Sequence, residues 1–107
     1  MAWPTIKDLQ DYCGIDVVDD LIENNLTRAL NTAGKTLEGA IGADVKSVLP
    51  DDDRAHTLVL IYGDDLYSNR GVFNTENAKV SGATRRMTRD LEDQVRMEYR
   101  RVREGAE

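Results

Sequence analysis

Apolar residues along the chain recur at helical spacing in four runs, separated by glycine, proline and polar stretches. In the first run, Ile6, Leu9, Tyr12 and Cys13 share one face; Thr5 stands as its cap with Asp8 three residues on, and Gly14 stops it. The second begins between Asp16 and Asp20, where acids suit the positive end of a helix dipole. Its stripe is Val18, Leu21/Ile22, Leu26, Ala29/Leu30, Ala33, Leu37 and Ala40/Ile41. Gly34 inside that run predicts a kink or a close helix contact, and Gly39 and Gly42 mark the end. Residues 42–53 read as a connection, with Val45, Val48 and Leu49 as a short apolar patch and Pro50 to Asp53 as a turn followed by a cap.

The third run, from about Asp53 to Asn69, is the most apolar and is therefore the expected core. Its inward positions are Ala55, Leu58, Val59, Tyr62, Leu66 and Asn69, widened by Ile61, and Gly71 is the expected C-terminal glycine. Residues 71–83 hold few bulky apolar side chains (Val72, Phe73, Val80) and predict a flexible polar loop. The last run begins between Thr84 and Thr88 and continues to residue 104, with Met87, Leu91, Val95, Tyr99 and Val102 as its stripe. Glu92–Arg96 and Arg89–Asp93 are spaced to support it as ion pairs. The pattern predicts an all-α fold: a small bundle of about four helices, one domain over residues 1–107, with a long polar loop before a C-terminal amphipathic helix.

At 107 residues the chain supports one thin core. No run approaches the ~18–20 apolar residues that cross a bilayer, and the N-terminus lacks the basic-then-apolar pattern of a signal peptide. The expectation is a protein of the cytosol, or of a particle assembled there, with no membrane partner. A single cysteine, Cys13, agrees with a reducing compartment. Charge is uneven within the net value of −6: residues 1–84 carry fourteen acids and seven bases, whereas residues 85–103 carry seven arginines and four acids. An acidic body with a basic last helix favours a complementary partner, or copies of itself arranged head to tail.

Catalytic chemistry finds little purchase. His56 is the only histidine and lies in the first turn of the third helix, where a protonated imidazole is disfavoured; it reads as an ordinary helix residue. Cys13, ending an apolar stripe, reads as a small buried hydrophobe rather than a reactive thiol. The Asp51-Asp52-Asp53 and Asp64-Asp65 clusters lack the ligand spacing of a calcium loop and read as caps and solvated groups. No phosphate loop, Cys-x-x-Cys pair or nucleophile elbow occurs. The expectation is therefore no enzyme, no catalytic residue, no metal and no cofactor. Trp3 either docks on the core or marks an interface. The arginines at 85, 86, 89, 96, 100, 101 and 103 are interleaved with acids and have no aromatic platform, which favours a protein-contact face over a nucleic-acid one.

Several pieces occur together and in order: Leu9, Tyr12 and Ile15, then Asp20-Leu21-Ile22, a long helix with Leu26 and Ala29, and the helix ending Asp65-Leu66-Tyr67-Ser68-Asn69-Arg70. Over nearly its whole length this order resembles the small head–tail connector (head-completion adaptor) proteins of long-tailed bacteriophages. Cys13 stands where the family pattern has a larger aliphatic residue, Gly34 interrupts the second helix, and residues 42–53 are rich in acids. The resemblance implies a structural virion protein at the head–tail junction, in a ring of commonly about twelve subunits. The ring would stack on the portal protein, extend the DNA channel without binding DNA specifically, and present a surface to the next connector or tail protein. The resemblance also implies assembly in the host bacterial cytoplasm. Tyr67, Asn69 and Arg70 would brace the fold beside the loop, and residues 71–83 would order on assembly. The implied subunit and portal interface is Tyr67, Asn69, Arg70, Phe73, Arg85, Arg86, Arg89, Arg96 and Arg100. The alternative reading is a small regulatory nucleic-acid-binding domain that uses the arginine-rich last helix.

Overall fold

Helix ends are set by short polar side chains. Thr5 Oγ1 accepts from the Asp8 amide at 3.2 Å while Asp8 Oδ2 accepts from the Thr5 amide at 2.9 Å, a reciprocal capping box that opens α1 (Ile6–Cys13). Gly14 closes it in the left-handed region at φ 74°, and Ile15 returns a bond to the Gln10 carbonyl at 3.1 Å. The computed structural model describes residues 3–68 and 80–105; 78% of these are helical and none forms a strand. The all-α reading stands.

Helix α2 (Asp20–Ala40) begins where Asp19 accepts from the Ile22 amide at 2.8 Å, and it buries Leu26, Ala29, Ala33 and Leu37 completely. Each of those leucines contributes roughly 1.5–3 kcal/mol through burial. The helix runs on unbroken through Gly34, and a Cβ there would meet nothing within 4 Å, so the expected close contact is absent. Inside the expected connection, Val45–Val48 forms one short turn of helix, α3, too brief for periodicity to reveal. It sinks Val45 fully into the core. Asp52 Oδ1 then accepts from the Arg54 and Ala55 amides at 2.9 and 3.0 Å and opens α4 (Asp53–Ser68).

Helix α4 is the centre. It packs along α2 and also meets α1 and the last helices. Its buried face is Ala55, His56, Leu58, Val59, Tyr62, Gly63 and Leu66. Gly63 makes room for α1: a Cβ there would lie 2.8 Å from Leu9 Cδ1.

The single last helix expected from the pattern is two. Ser81 caps α5 (Gly82–Met87), Thr88 turns, and α6 (Arg89–Gly105) follows. The helical region thus starts earlier than expected, and Gly82 and Ala83 leave the predicted loop. Met87 is 71% exposed, not inward, because the break at Thr88 takes it off the α6 stripe. The expectations for Asn69 as an inward residue, Gly71 as a C-cap and a flexible loop through residue 79 lie outside the described residues. Tyr62 beside Glu92, and Arg54 3.8 Å from Glu98, show that α6 runs antiparallel to α4.

Tyr99 on α6 reaches across to the α2–α3 link, where a Cβ on Gly42 would sit 2.6 Å from the ring carbon that carries its hydroxyl. That ring is held by Asp44 and Arg103 and has little room to yield. Gly42→Ala is expected to lower stability by about 1–3 kcal/mol through overpacking, read as an earlier urea midpoint. A midpoint equal to wild type would refute the contact.

Candidate functional site

The arginines of the last two helices divide into two sets. Arg96 serves the fold: its Nε and Nη2 donate to the Ala40 carbonyl at 3.3 and 3.0 Å, and its Nη1 meets Asp93 at 2.7 Å. A guanidinium thus closes the C-terminus of α2, where carbonyls lack helical partners and a cation suits the dipole. Arg103 donates to both oxygens of Asp44, at 3.0 and 2.8 Å, and to the Tyr99 hydroxyl at 2.6 Å. Arg101 pairs with Glu98. Arg85 lies 3.6 Å from Glu92. By contrast Arg86, Arg89 and Arg100 are exposed and make no ion pair among the described residues.

Of the expected interface residues, then, Arg86, Arg89 and Arg100 point outward, Arg85 is exposed but tied to Glu92, and Arg96 is committed to α2. Tyr67 is half-buried and packs against the core at the end of α4. Asn69, Arg70 and Phe73 lie outside the described residues. The expected Glu92–Arg96 pair does not form, because Glu92 faces inward.

That inward acid is the main feature the spacing analysis missed. Glu92 is buried between α4 and α6, where it accepts from the Tyr62 hydroxyl and, at 3.3 Å, from the Thr88 hydroxyl. Burial first, and the neighbouring Glu92 carboxylate second, push the Tyr62 phenol far up its range, so it serves as a fixed donor. The signal was present: Glu92 lies three residues before Val95 and seven before Tyr99, on the same stripe. An acid on an apolar stripe must be paired or displaced.

A second acid closes the turn into α5. Asp65 accepts from the Ser81 amide at 2.9 Å, the Ser81 hydroxyl at 3.1 Å and the Thr84 hydroxyl at 2.8 Å. The end of α4 and the start of α5 are thereby clasped, a role beyond the capping and solvation expected of Asp64-Asp65. Asp64 also acts locally. Burial, and then a hydrogen bond to Asp64, push the Cys13 thiol up to about 12. A protonated, half-buried thiol is a poor nucleophile, consistent with a packing role for Cys13.

His56 is 3% exposed and more embedded than an ordinary helix residue. Its Nε2 donates to the Pro50 carbonyl at 2.8 Å, since a carbonyl can only accept, and its Nδ1 is buried without a partner among the described residues. Trp3 docks edge-on against this ring with centroids 5.3 Å apart, and Lys46 lies over the indole at 5.9 Å. Trp3 also walls one side of a surface cleft of about 390 Å³ with Pro4, Leu30, Gly34 and Val45. Among the described residues no group of three or more His, Cys, Asp and Glu is placed to hold a metal ion, and no helix is long and apolar enough to cross a membrane.

Comparison with known proteins returns no matching family model, no matching curated protein and no matching solved structure.

Two outcomes follow from the polar seams. Tyr62→Phe removes a donor from buried Glu92 and is expected to cost about 1–3 kcal/mol in urea denaturation, with helix content unchanged by circular dichroism. An unchanged midpoint would show that Glu92 finds water instead. Separately, the hydrogen bond from Tyr99, and the nearby Arg103 charge, hold the Asp44 carboxyl below its usual range. Asp44 therefore stabilises the fold fully above the ordinary carboxylate pKa of about 4, and this contribution fades as pH falls through the lower native value. Asp44→Asn should melt below wild type at neutral pH and approach it in acid. A gap that widens in acid would contradict the assignment.

Proposed function

We propose that this chain is a structural connector subunit of a bacteriophage head–tail junction. In this reading it joins copies of itself in a ring on the portal protein and offers a surface to the next connector or tail protein. One observation carries the reading from the structure: the polar groups inside are spent on holding helices together, while Arg86, Arg89 and Arg100 are left exposed on the terminal helices. Arginine is enriched on protein-contact surfaces, where its planar fork meets carboxylates and its stem covers apolar area. The ordered segments of the sequence supply the kind of assembly. An acidic body in the channel wall would let DNA slide past without tight phosphate contacts.

The nucleic-acid reading draws on the same exposed guanidiniums. It is weakened by Asp90 and Asp93, which are exposed on the same helix and repel phosphate.

Native mass spectrometry and electron microscopy of the full chain, alone and mixed with portal-containing particles, test the proposal. Rings, or decoration of the portal vertex, are expected. A protein that stays monomeric and never joins such particles would overturn it. Salt-sensitive DNA binding that disappears when Arg85, Arg86 and Arg89 become Ala would instead favour the alternative.

A further inference from the structure

Two exposed apolar points stand out because the charged residues next to each in the chain are mostly of one sign. The first lies where α2 begins: Val17 is 79% and Leu21 is 68% exposed. Residues 16–23 contain four acids and no base, and of these Asp16, Asp20 and Glu23 are exposed with no ion pair among the described residues. Asp19 is the helix cap, so its carboxylate is fixed at the same rim. The nearest base further along α2 is Arg28, two turns on from Leu21.

The second point is Met87, 71% exposed at the α5–α6 break. Arg85, Arg86 and Arg89 lie within two residues of it in the chain, with Asp90 the single acid within three; Arg86 and Arg89 are exposed, and Arg85 is drawn to Glu92. Arg86 and Arg89 make no ion pair among the described residues. A bulky apolar centre inside a charged rim is the anatomy of a contact surface, and leaving large apolar groups bare in water is unfavourable. Methionine is flexible enough to fit between a valine and a leucine. The two patches lie on different elements, the first at the start of α2 and the second at the α5–α6 break.

From this complementarity we infer that the Val17–Leu21 patch of one copy docks on the Met87 patch of the next, with its acids facing Arg86 and Arg89. The contact is heterologous, since each copy presents one patch of each kind, so it propagates from copy to copy and closes if the rotation allows. This rests on the connector reading for the expectation that copies associate. The choice of faces comes from the charges and exposures alone.

Charge reversal in the full chain tests it, with sedimentation velocity followed up to about 1 mM, the weak end of specific association. Asp16→Lys with Asp20→Lys makes both patches basic; Arg86→Glu with Arg89→Glu makes both acidic. Each double variant should associate at least about tenfold more weakly than wild type, while an equimolar mixture of the two should recover association. A chain carrying all four reversals should also self-associate, which shows that the variants fold. Raising salt should weaken wild-type association.

Association of either double variant at wild-type strength would overturn the inference and leave the connector reading standing on some other contact. So would a mixture that stays dissociated while the four-reversal chain also does. Loss and rescue as expected, but with open chains only and no binding to portal-containing particles, would uphold the contact and overturn the connector reading. A wild-type chain that remains monomeric throughout would overturn this inference outright.

Discussion

Burying the Glu92 carboxylate is the constraint on which the terminal half of the fold depends. An acid placed in an apolar seam needs donors at fixed positions, and the observed alignment of α6 against α4 brings it one from the facing helix. In that alignment Tyr62 donates from the facing helix, Thr88 from one turn back, and Arg85 brings a positive charge to 3.6 Å. Sliding α6 by a turn would take the carboxylate away from Tyr62, its donor on the facing helix. The other cross-helix contacts agree with the same register: Arg54 with Glu98, Tyr99 with Asp44, and Arg96 with the end of α2. Hydrophobic burial of Val95 and Tyr99 supplies attraction without choosing a register, because apolar contact is non-directional. The polar seam makes that choice.

Around this seam the molecule is organised by its ends. α1 is defined by a capping box and a left-handed glycine, α2 by Asp19, α4 by Asp52 and α5 by Ser81. Asp65 then ties the cap of α5 back to α4. Short acids and hydroxyls do two tasks here, satisfying helix amides and joining neighbouring elements.

The helices were legible in the sequence where apolar period and caps agreed. Thr5, Gly14 and the buried stripe from Leu26 to Leu37 are found as the pattern implied, and so is the core face of α4. What escaped were features too short or too local for a period to reveal. α3 is four residues long, and the break at Thr88 lies within a stripe that reads continuously on a helical wheel. The candidate surface was less legible than the core. Counting arginines located a basic segment but did not tell Arg96, whose partner is a carbonyl 56 positions away, from Arg86, which faces out. Local spacing carries no record of such long-range partners. Glu92 is the instructive case: its position on the stripe was visible, but periodicity tests count apolar residues and pass over the acid among them.

The fit of Tyr99 against Gly42 has an evolutionary side. Because the ring occupies the space where any side chain at position 42 would begin, the two positions are not free to drift separately. A larger residue at 42 becomes tolerable only after position 99 has lost its ring, and that loss would leave Asp44 and Arg103 without their shared hydroxyl. Related chains that keep this bundle should therefore carry glycine at 42 wherever position 99 keeps its ring.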